Sequence, residues 1–184
     1  IHESIKKSLQ RLGTDYVDLY QCHRFDPDVP VRETALAMHD LIQAGHVLYW
    51  GTSMWPAERI AEAVALCRDN GWHVPITNQP LYNLYRREIE IAVVPTSQRY
   101  GIGQLVYSPL AQGVLTGKYK PNTAPPSGTR AADESGKNFV ANFMSEDHLR
   151  QAQELVALAE HHGLDATRMA LAFALRNQGV SSVL

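Results

Sequence analysis

Apolar residues recur along this chain in two alternating rhythms, one helical and one extended. Ile1, Ile5, Leu9 and Leu12 return at helical spacing between charges, and Gly13 supplies a stop. A short, mostly apolar strand follows over 15–22, then a turn at Asp26-Pro27-Asp28-Val29-Pro30, with Pro30 suited to the first position of a helix. Val31, Ala35, Met38 and Ile42 mark the inner stripe of that helix, and Gly45 ends it. The strand Val47-Leu48-Tyr49-Trp50 closes on Gly51-Thr52-Ser53. A helix from Pro56 to Asn70-Gly71 carries Ile60, Val64 and Cys67, and a further strand runs from Val74 to Asn78. Between Arg86 and Tyr100 the pattern weakens, and Pro95 predicts a break with a new short helix after it. Ile102 to Tyr107 is the next strand. Residues 112–145 show no clear periodicity and read as a long excursion. Helices over 146–162 and 165–178 and a strand from Val180 to Leu184 complete the pattern.

Strands that alternate with helices in this way predict βα units and a parallel sheet. An open doubly wound sheet and part of a (β/α)8 barrel both fit the count. No GxGxxG follows any strand, which disfavours a dinucleotide-binding open sheet. The barrel is therefore the expected fold. A complete one takes ~250 residues, so the 184 residues here make an incomplete barrel and a single partial domain. The chain opens on Ile1 within a helical pattern and stops at Leu184 within a strand, so both ends are expected to be cut.

Composition narrows the function classes only a little. With 45% apolar and 20% charged residues the chain is globular, and a formal net charge of −2 offers no basic footprint for nucleic acid. No apolar run reaches the ~20 residues of a membrane span. Cys22 and Cys67 lack CxxC spacing and suit a reducing cytoplasm. No metal site is expected. His161 and His162 are adjacent, without the i, i+4 spacing of a helical metal pair, and a favourable charge near a helix C-terminus accounts for His39 and His46. Asp26 and Asp28 read as turn residues.

In a barrel, chemistry collects where strands hand over to loops. His23 ends the first strand, Ser53 the second, Asn78 and Gln79 the third, and Tyr107 and Ser108 the fourth. Hydroxyl and amide side chains can grip a carboxamide, and a tyrosine offers a flat face to a planar ring. Each has a plain alternative in hydrogen bonding at a strand end. Beyond the fourth strand, Ser108-Pro109-Leu110-Ala111-Gln112-Gly113 and Gly117-Lys118-Tyr119 combine small residues with a cation, as an anion site requires, and Arg130 can add a bidentate clamp. The alternative is a glycine-rich surface turn with solvated charges. Trp55 is a candidate for the border of a substrate pocket or for plain core packing.

These runs also carry a resemblance. Leu9-Gln10-Arg11-Leu12-Gly13-Thr14-Asp15-Tyr16-Val17-Asp18-Leu19-Tyr20, followed by His23, resembles a signature of the aldo-keto reductases. Trp50-Gly51-Thr52-Ser53, Gln79 with Tyr82-Asn83-Leu84, the Ser108–Gly113 and Gly117–Tyr119 runs, and Leu175-Arg176-Asn177 with 179–184 are similar to the branch containing voltage-gated potassium-channel β-subunits and their bacterial relatives. The resemblance covers essentially the whole chain.

It implies a (β/α)8 barrel, represented here by roughly strands 4 to 8, that binds NADPH and reduces aldehydes or ketones by hydride transfer. Ser53 and Gln79 would hold the carboxamide, and Tyr107 would stack on the nicotinamide. Ser108, Leu110, Gln112 and Gly113 would line the pyrophosphate path, while Lys118 and Arg130 would belong to a loop folding over the cofactor. His23 matches the histidine that helps hold the substrate carbonyl; the channel β-subunits carry asparagine there. Met54 stands where the family usually has a polar residue. The family's catalytic aspartate, tyrosine and lysine would precede Ile1, and its 2′-phosphate contacts would follow Leu184, so NADPH over NADH rests on the resemblance alone. The expected partner is a small carbonyl compound, with no nucleic acid and no membrane insertion, in the cytoplasm. Homo-oligomerisation stays open. The alternative function is a cofactor-binding regulatory or interaction subunit with little turnover.

Overall fold

A computed structural model describes residues 1–184. The strands β1 (Val17–Cys22), β2 (Val47–Ser53), β3 (Thr77–Gln79), β4 (Gly103–Val106) and β5 (Val180–Val183) follow one another in chain order across the sheet. The registered pairs β1–β2, β2–β3 and β3–β4 are parallel. The sheet does not close, as an incomplete barrel requires. The helices are α1 (His2–Leu12), α2 (Val31–Gln43), α3 (Ala57–Asn70), α4 (Val93–Tyr100), the short α5 (Lys137–Val140), α6 (Glu146–His161) and α7 (Ala166–Leu175). None of them is long and apolar enough to cross a membrane.

The chain forms two compact units: Ile1–Pro80 with Ile89–Leu105, and Leu81–Glu88 with Val106–Leu184. In the first, Ile5 and Leu9 of α1, Val31, Ala35, Met38 and Leu41 of α2, and Ile60, Val64 and Cys67 of α3 pack with Val47 and Trp50 of β2. These stripes follow the expected spacing with small departures. Leu41 takes the buried position expected of Ile42, and Leu12, the last residue of α1, is 66% exposed. Trp50 is fully buried and donates its indole N–H to the His73 carbonyl at 2.7 Å, so the large ring keeps its polar atom satisfied.

Prolines explain most of the boundary differences. Pro30 and Pro56 sit one residue before α2 and α3 with extended ψ, as N-caps rather than first helical residues. The break expected at Pro95 does not occur, because α4 begins at Val93 and runs through it. Pro95 is the third residue of that helix, where a backbone N–H would have no intrahelical acceptor, so the missing donor costs nothing. The strand expected from Val74 is registered only over Thr77–Gln79. Backbone pairing reaches back to Ile76, which donates to Trp50 O and accepts from Gly103 N, and Pro75 then interrupts it.

The second unit holds the excursion. The segment from Ala111 to Ser145 contains 3-10 turns within Ala111–Thr116, broken by a kink at Gln112 and Gly113, and at Arg130–Ala132 and Ala141–Phe143, as well as α5. Elements that short show no period, yet Val114, Leu115, Tyr119, Val140 and Phe143 are buried against Leu149 and Ala152 of α6 and Ala170 of α7. This segment therefore supplies core rather than surface loop alone. Ser145 and Asp165 cap α6 and α7, accepting from His148 N at 3.3 Å and Arg168 N at 2.8 Å.

Candidate functional site

In the first unit, the strand ends are tied together by polar side chains on both faces of the sheet. Residues two apart on a strand share a face. On one face Thr52, Asn78 and Gln104 align in register, with Thr52 Oγ1 donating to Asn78 Oδ1 at 2.9 Å and Asn78 Nδ2 to Gln104 Oε1 at 3.0 Å. All three are buried. On the other face Gln21 Nε2 donates to Thr77 Oγ1 at 3.2 Å, and Gln79 Nε2 donates to Gln21 Oε1 at 2.8 Å. Ser53 Oγ donates to the Gln79 carbonyl at 2.8 Å, and Met54 N donates to the same oxygen at 3.2 Å.

Ser53 and Gln79 are thus neighbours at adjacent strand ends, with the Gln79 amide oriented by Gln21. Met54 adopts φ 57, the left-handed region that non-glycine residues rarely visit. The chain turns sharply just after Ser53, and the hydroxyl points back across the strand ends.

His23, the residue after β1, is exposed and lines a cavity of about 680 Å³ with Phe25, Met38 and Trp55. Phe25 and Trp55 meet edge to face at 5.3 Å, and the Arg59 guanidinium lies 5.1 Å over Phe25. Trp55 is 3% exposed, and its Nε1 makes no hydrogen bond within the protein. Trp55 is therefore both core and cavity wall. The bed of this cavity also contains the Cys22 thiol, which burial pushes up to about 12, so it is no nucleophile at neutral pH.

In the second unit, the segment after β4 is the most contorted backbone of the chain. Ser108, Ala111 and Gln112 have φ of 55, 48 and 59, and Gly113 and Gly117 follow at 95 and 77. Left-handed non-glycine residues persist only where the surroundings hold them. Here a buried amide does so: Asn83, fully buried, donates from Nδ2 to the Ser108 carbonyl at 2.9 Å. Its Oδ1 accepts from Tyr85 N at 2.9 Å and Arg86 N at 3.1 Å. At Gly117, φ is 77 and a Cβ would lie 2.3 Å from Val156 Cγ2, so any side chain there would be strained and would displace Val156.

Ser108, Leu110, Gln112, Gly113, Lys118 and Arg130 line one cleft of about 1180 Å³. Arg130 Nη1 donates to Gln112 Oε1, and Gln112 Nε2 donates to Ser108 Oγ, a relay from the distal loop to the strand end. Lys118 Nζ sits above the Tyr119 ring at 5.3 Å and close to Gly113, where a Cβ would approach it to 2.9 Å. Two cations therefore face the cleft beside the Ser108–Gly117 segment. Asp133 also lines it, and the Ser135 hydroxyl and Gly136 N–H hold its carboxyl below the usual range. The two cations and the Ser108 hydroxyl fit a phosphorylated ligand.

The Aldo/keto reductase family model matches residues 1–184. The chain belongs to the aldo/keto reductase family. It is 40% identical to a protein of Oryza sativa subsp. japonica named "Probable voltage-gated potassium channel subunit beta", over 185 residues that cover all of this chain and 56% of the relative. A protein of the same name from Arabidopsis thaliana is 41% identical over 185 residues, with the same shares covered. A similarly named protein of Schizosaccharomyces pombe is 38% identical over 187 residues, covering all of this chain and 54% of the relative. The chain thus spans about half the length of the curated relatives it matches.

Of the expected site residues, the structure brings six into the second-unit cleft and sets Ser53 beside Gln79 in the first unit. His23 lines a separate cavity, and Tyr107 lines neither cavity. Tyr107 is instead bridged to Leu81, its carbonyl accepting from Tyr82 N at 3.3 Å. Sequence reasoning gave no role to Asn83 or Gln21. The Tyr82-Asn83-Leu84 run was the available signal for the first, while nothing in the local pattern marks the second.

Proposed function

We propose that this chain is part of an NADPH-dependent oxidoreductase that reduces aldehydes or ketones to alcohols. Family membership and the cation-lined cleft beside the contorted Ser108–Gly117 backbone support the reading, and the cleft carries it. Ser108, Leu110, Gln112 and Gly113 would border the pyrophosphate, with Lys118 and Arg130 neutralising its charge. Ser53 and Gln79 would hold the carboxamide, and Tyr107 would stack on the nicotinamide. Bound NADPH would supply the hydride, and His23 would orient the small carbonyl substrate. A cytoplasmic location belongs to the same reading, supported by two cysteines that form no disulfide.

The experiment is a fluorescence titration of the full-length protein with NADPH and NADH, alongside steady-state turnover of simple aldehydes. Lys118→Ala and Arg130→Ala are each expected to weaken NADPH binding about tenfold or more, at about 1.5–3 kcal/mol per charged hydrogen bond. Unchanged affinity in both variants would refute the cleft assignment.

The names of the relatives favour one second reading, a cofactor-binding subunit of a potassium channel with little turnover. NADPH binding without aldehyde turnover in the full-length protein would select it.

A further inference from the structure

Away from both cavities, α3 ends on the one asparagine of this sequence that precedes a glycine, Asn70-Gly71. In such a pair the glycine amide can reach the asparagine side chain with no Cβ in the way. The Gly71 nitrogen attacks Asn70 Cγ, and the new N–C bond closes a succinimide ring. The bond from Cγ to Nδ2 breaks, and the Gly71 amide proton leaves with Nδ2 as ammonia. Water then opens the ring at either carbonyl, giving aspartate or isoaspartate.

The fold engages every group that this reaction uses. Gly71, a left-handed C-cap with φ 68, donates its N–H to the Arg68 carbonyl at 3.3 Å. Asn70 Nδ2, the leaving nitrogen, donates to the Leu66 carbonyl at 2.8 Å. Asn70 Oδ1 accepts from Arg32 Nη1 of α2 at 3.1 Å. The first two bonds lie within one helix end, and helix ends open readily. The third reaches Asn70 from another helix, 38 positions away in sequence.

Both sides of this contact are held in turn. The Arg32 guanidinium lies 4.8 Å over Trp72, whose backbone N–H donates to the Cys67 carbonyl at 2.7 Å. One residue on, His39 and His73 share an N–H···N hydrogen bond at 2.9 Å, and the His73 carbonyl accepts from the buried Trp50 indole at 2.7 Å. His39 is therefore not engaged with the end of its own helix, since α2 continues to Gln43, and the helix-end explanation offered for it from sequence does not hold. Asn70 and Gly71 themselves are exposed, so the water that opens the ring has access.

We propose that Asn70-Gly71 is a deamidation site held shut by the fold, with Arg32 as the clamp that sets its rate. To bring Cγ to the Gly71 nitrogen, the side-chain amide must leave both Leu66 and Arg32. The products act on the same contact. Aspartate at position 70 would turn the Arg32 bond into an ion pair, whereas isoaspartate would lengthen the main chain by a methylene and displace the Gly71 cap. The site is independent of the reductase reading.

The test follows Asn70 by peptide mass spectrometry while the full-length protein is incubated at mildly alkaline pH, folded and in denaturing urea. In urea Asn70 should deamidate faster than Asn122 or Asn138, which precede threonine and phenylalanine. In the folded parent it should be slower than in urea by about tenfold or more, because attack waits for local opening. Arg32→Ala should raise the folded rate about fivefold, the scale of one ordinary hydrogen bond, and leave the urea rate unchanged. Thr52→Val, which weakens the sheet without touching Asn70, should leave the folded rate at the parent's. Thermal unfolding checks that each variant is folded at the incubation temperature. A folded rate in Arg32→Ala equal to the parent's, a folded parent as fast as in urea, or equal acceleration by Thr52→Val overturns the proposal.

Discussion

Gly51 of β2 faces Thr77 of β3 so closely that a Cβ on the glycine would stand 2.1 Å from Thr77 Oγ1 and 2.7 Å from the Thr77 carbonyl oxygen. The space a side chain would need is occupied by the hydroxyl that receives Gln21. Gly51→Ala must therefore push β2 from β3 at the strand ends that present Ser53 and Gln79. Overpacking of this kind costs about 1–3 kcal/mol. Urea unfolding of the full-length protein should show that loss, and Thr77→Ser, which keeps the hydroxyl, should show much less.

Asn78 is the middle of a buried polar ladder and serves both neighbours at once. Asn78→Ala orphans Thr52 Oγ1 and Gln104 Oε1, each a buried group that costs about 1–3 kcal/mol when unpaired. Thr52→Val removes only the terminal member and leaves the Asn78–Gln104 bond in place. Asn78→Ala is thus expected to lower the denaturation midpoint clearly more than Thr52→Val.

Burial raises the Cys22 thiol from 9.0 to about 12 and the Cys67 thiol from 9.0 to about 11. In the unfolded chain both would release their protons near 9, while the folded chain retains them. Between those values the folded state binds more protons, so stability falls as pH rises above about 9. Urea midpoints compared at pH 8 and pH 10.5 should show the decline, and it should be shallower in Cys22→Ser. The folded protein should also resist iodoacetamide at neutral pH, since the reactive thiolate is suppressed.

If the reductase reading holds, His23 acts on the substrate and not on the cofactor. His23→Ala is then expected to lower kcat on the order of 10²-fold, the scale of losing one donor to a developing oxyanion. NADPH affinity should be unaltered. An unchanged kcat would remove His23 from the reaction.

Gln112 links Ser108 and Arg130, and both bonds end at its amide. Gln112→Ala should release the Arg130 side chain and weaken NADPH binding by less than Arg130→Ala does, because the charge remains. Titration of both variants against NADPH measures the difference.

The alternation of apolar rhythms was enough to read the strands, the helices and their order, because each strand and helix buries a face whose period is local. The strand ends were legible for the same reason, so His23, Ser53, Gln79 and Ser108 could be placed without coordinates. Pro95 misled because a missing N–H matters only after the first turn of a helix, and the start of α4 at Val93 is set by packing that the local pattern does not show. The excursion over 112–145 concealed core residues, since one-turn elements have no period to read. Only the tertiary structure brought Gln21 to Gln79, Asn83 to Ser108 and His39 to His73. Those pairs join residues 58, 25 and 34 positions apart, and their chemistry depends on register and helix packing. The sequence by itself determined which elements form and what their ends carry; distances across the sheet and between helices decided which of those groups meet.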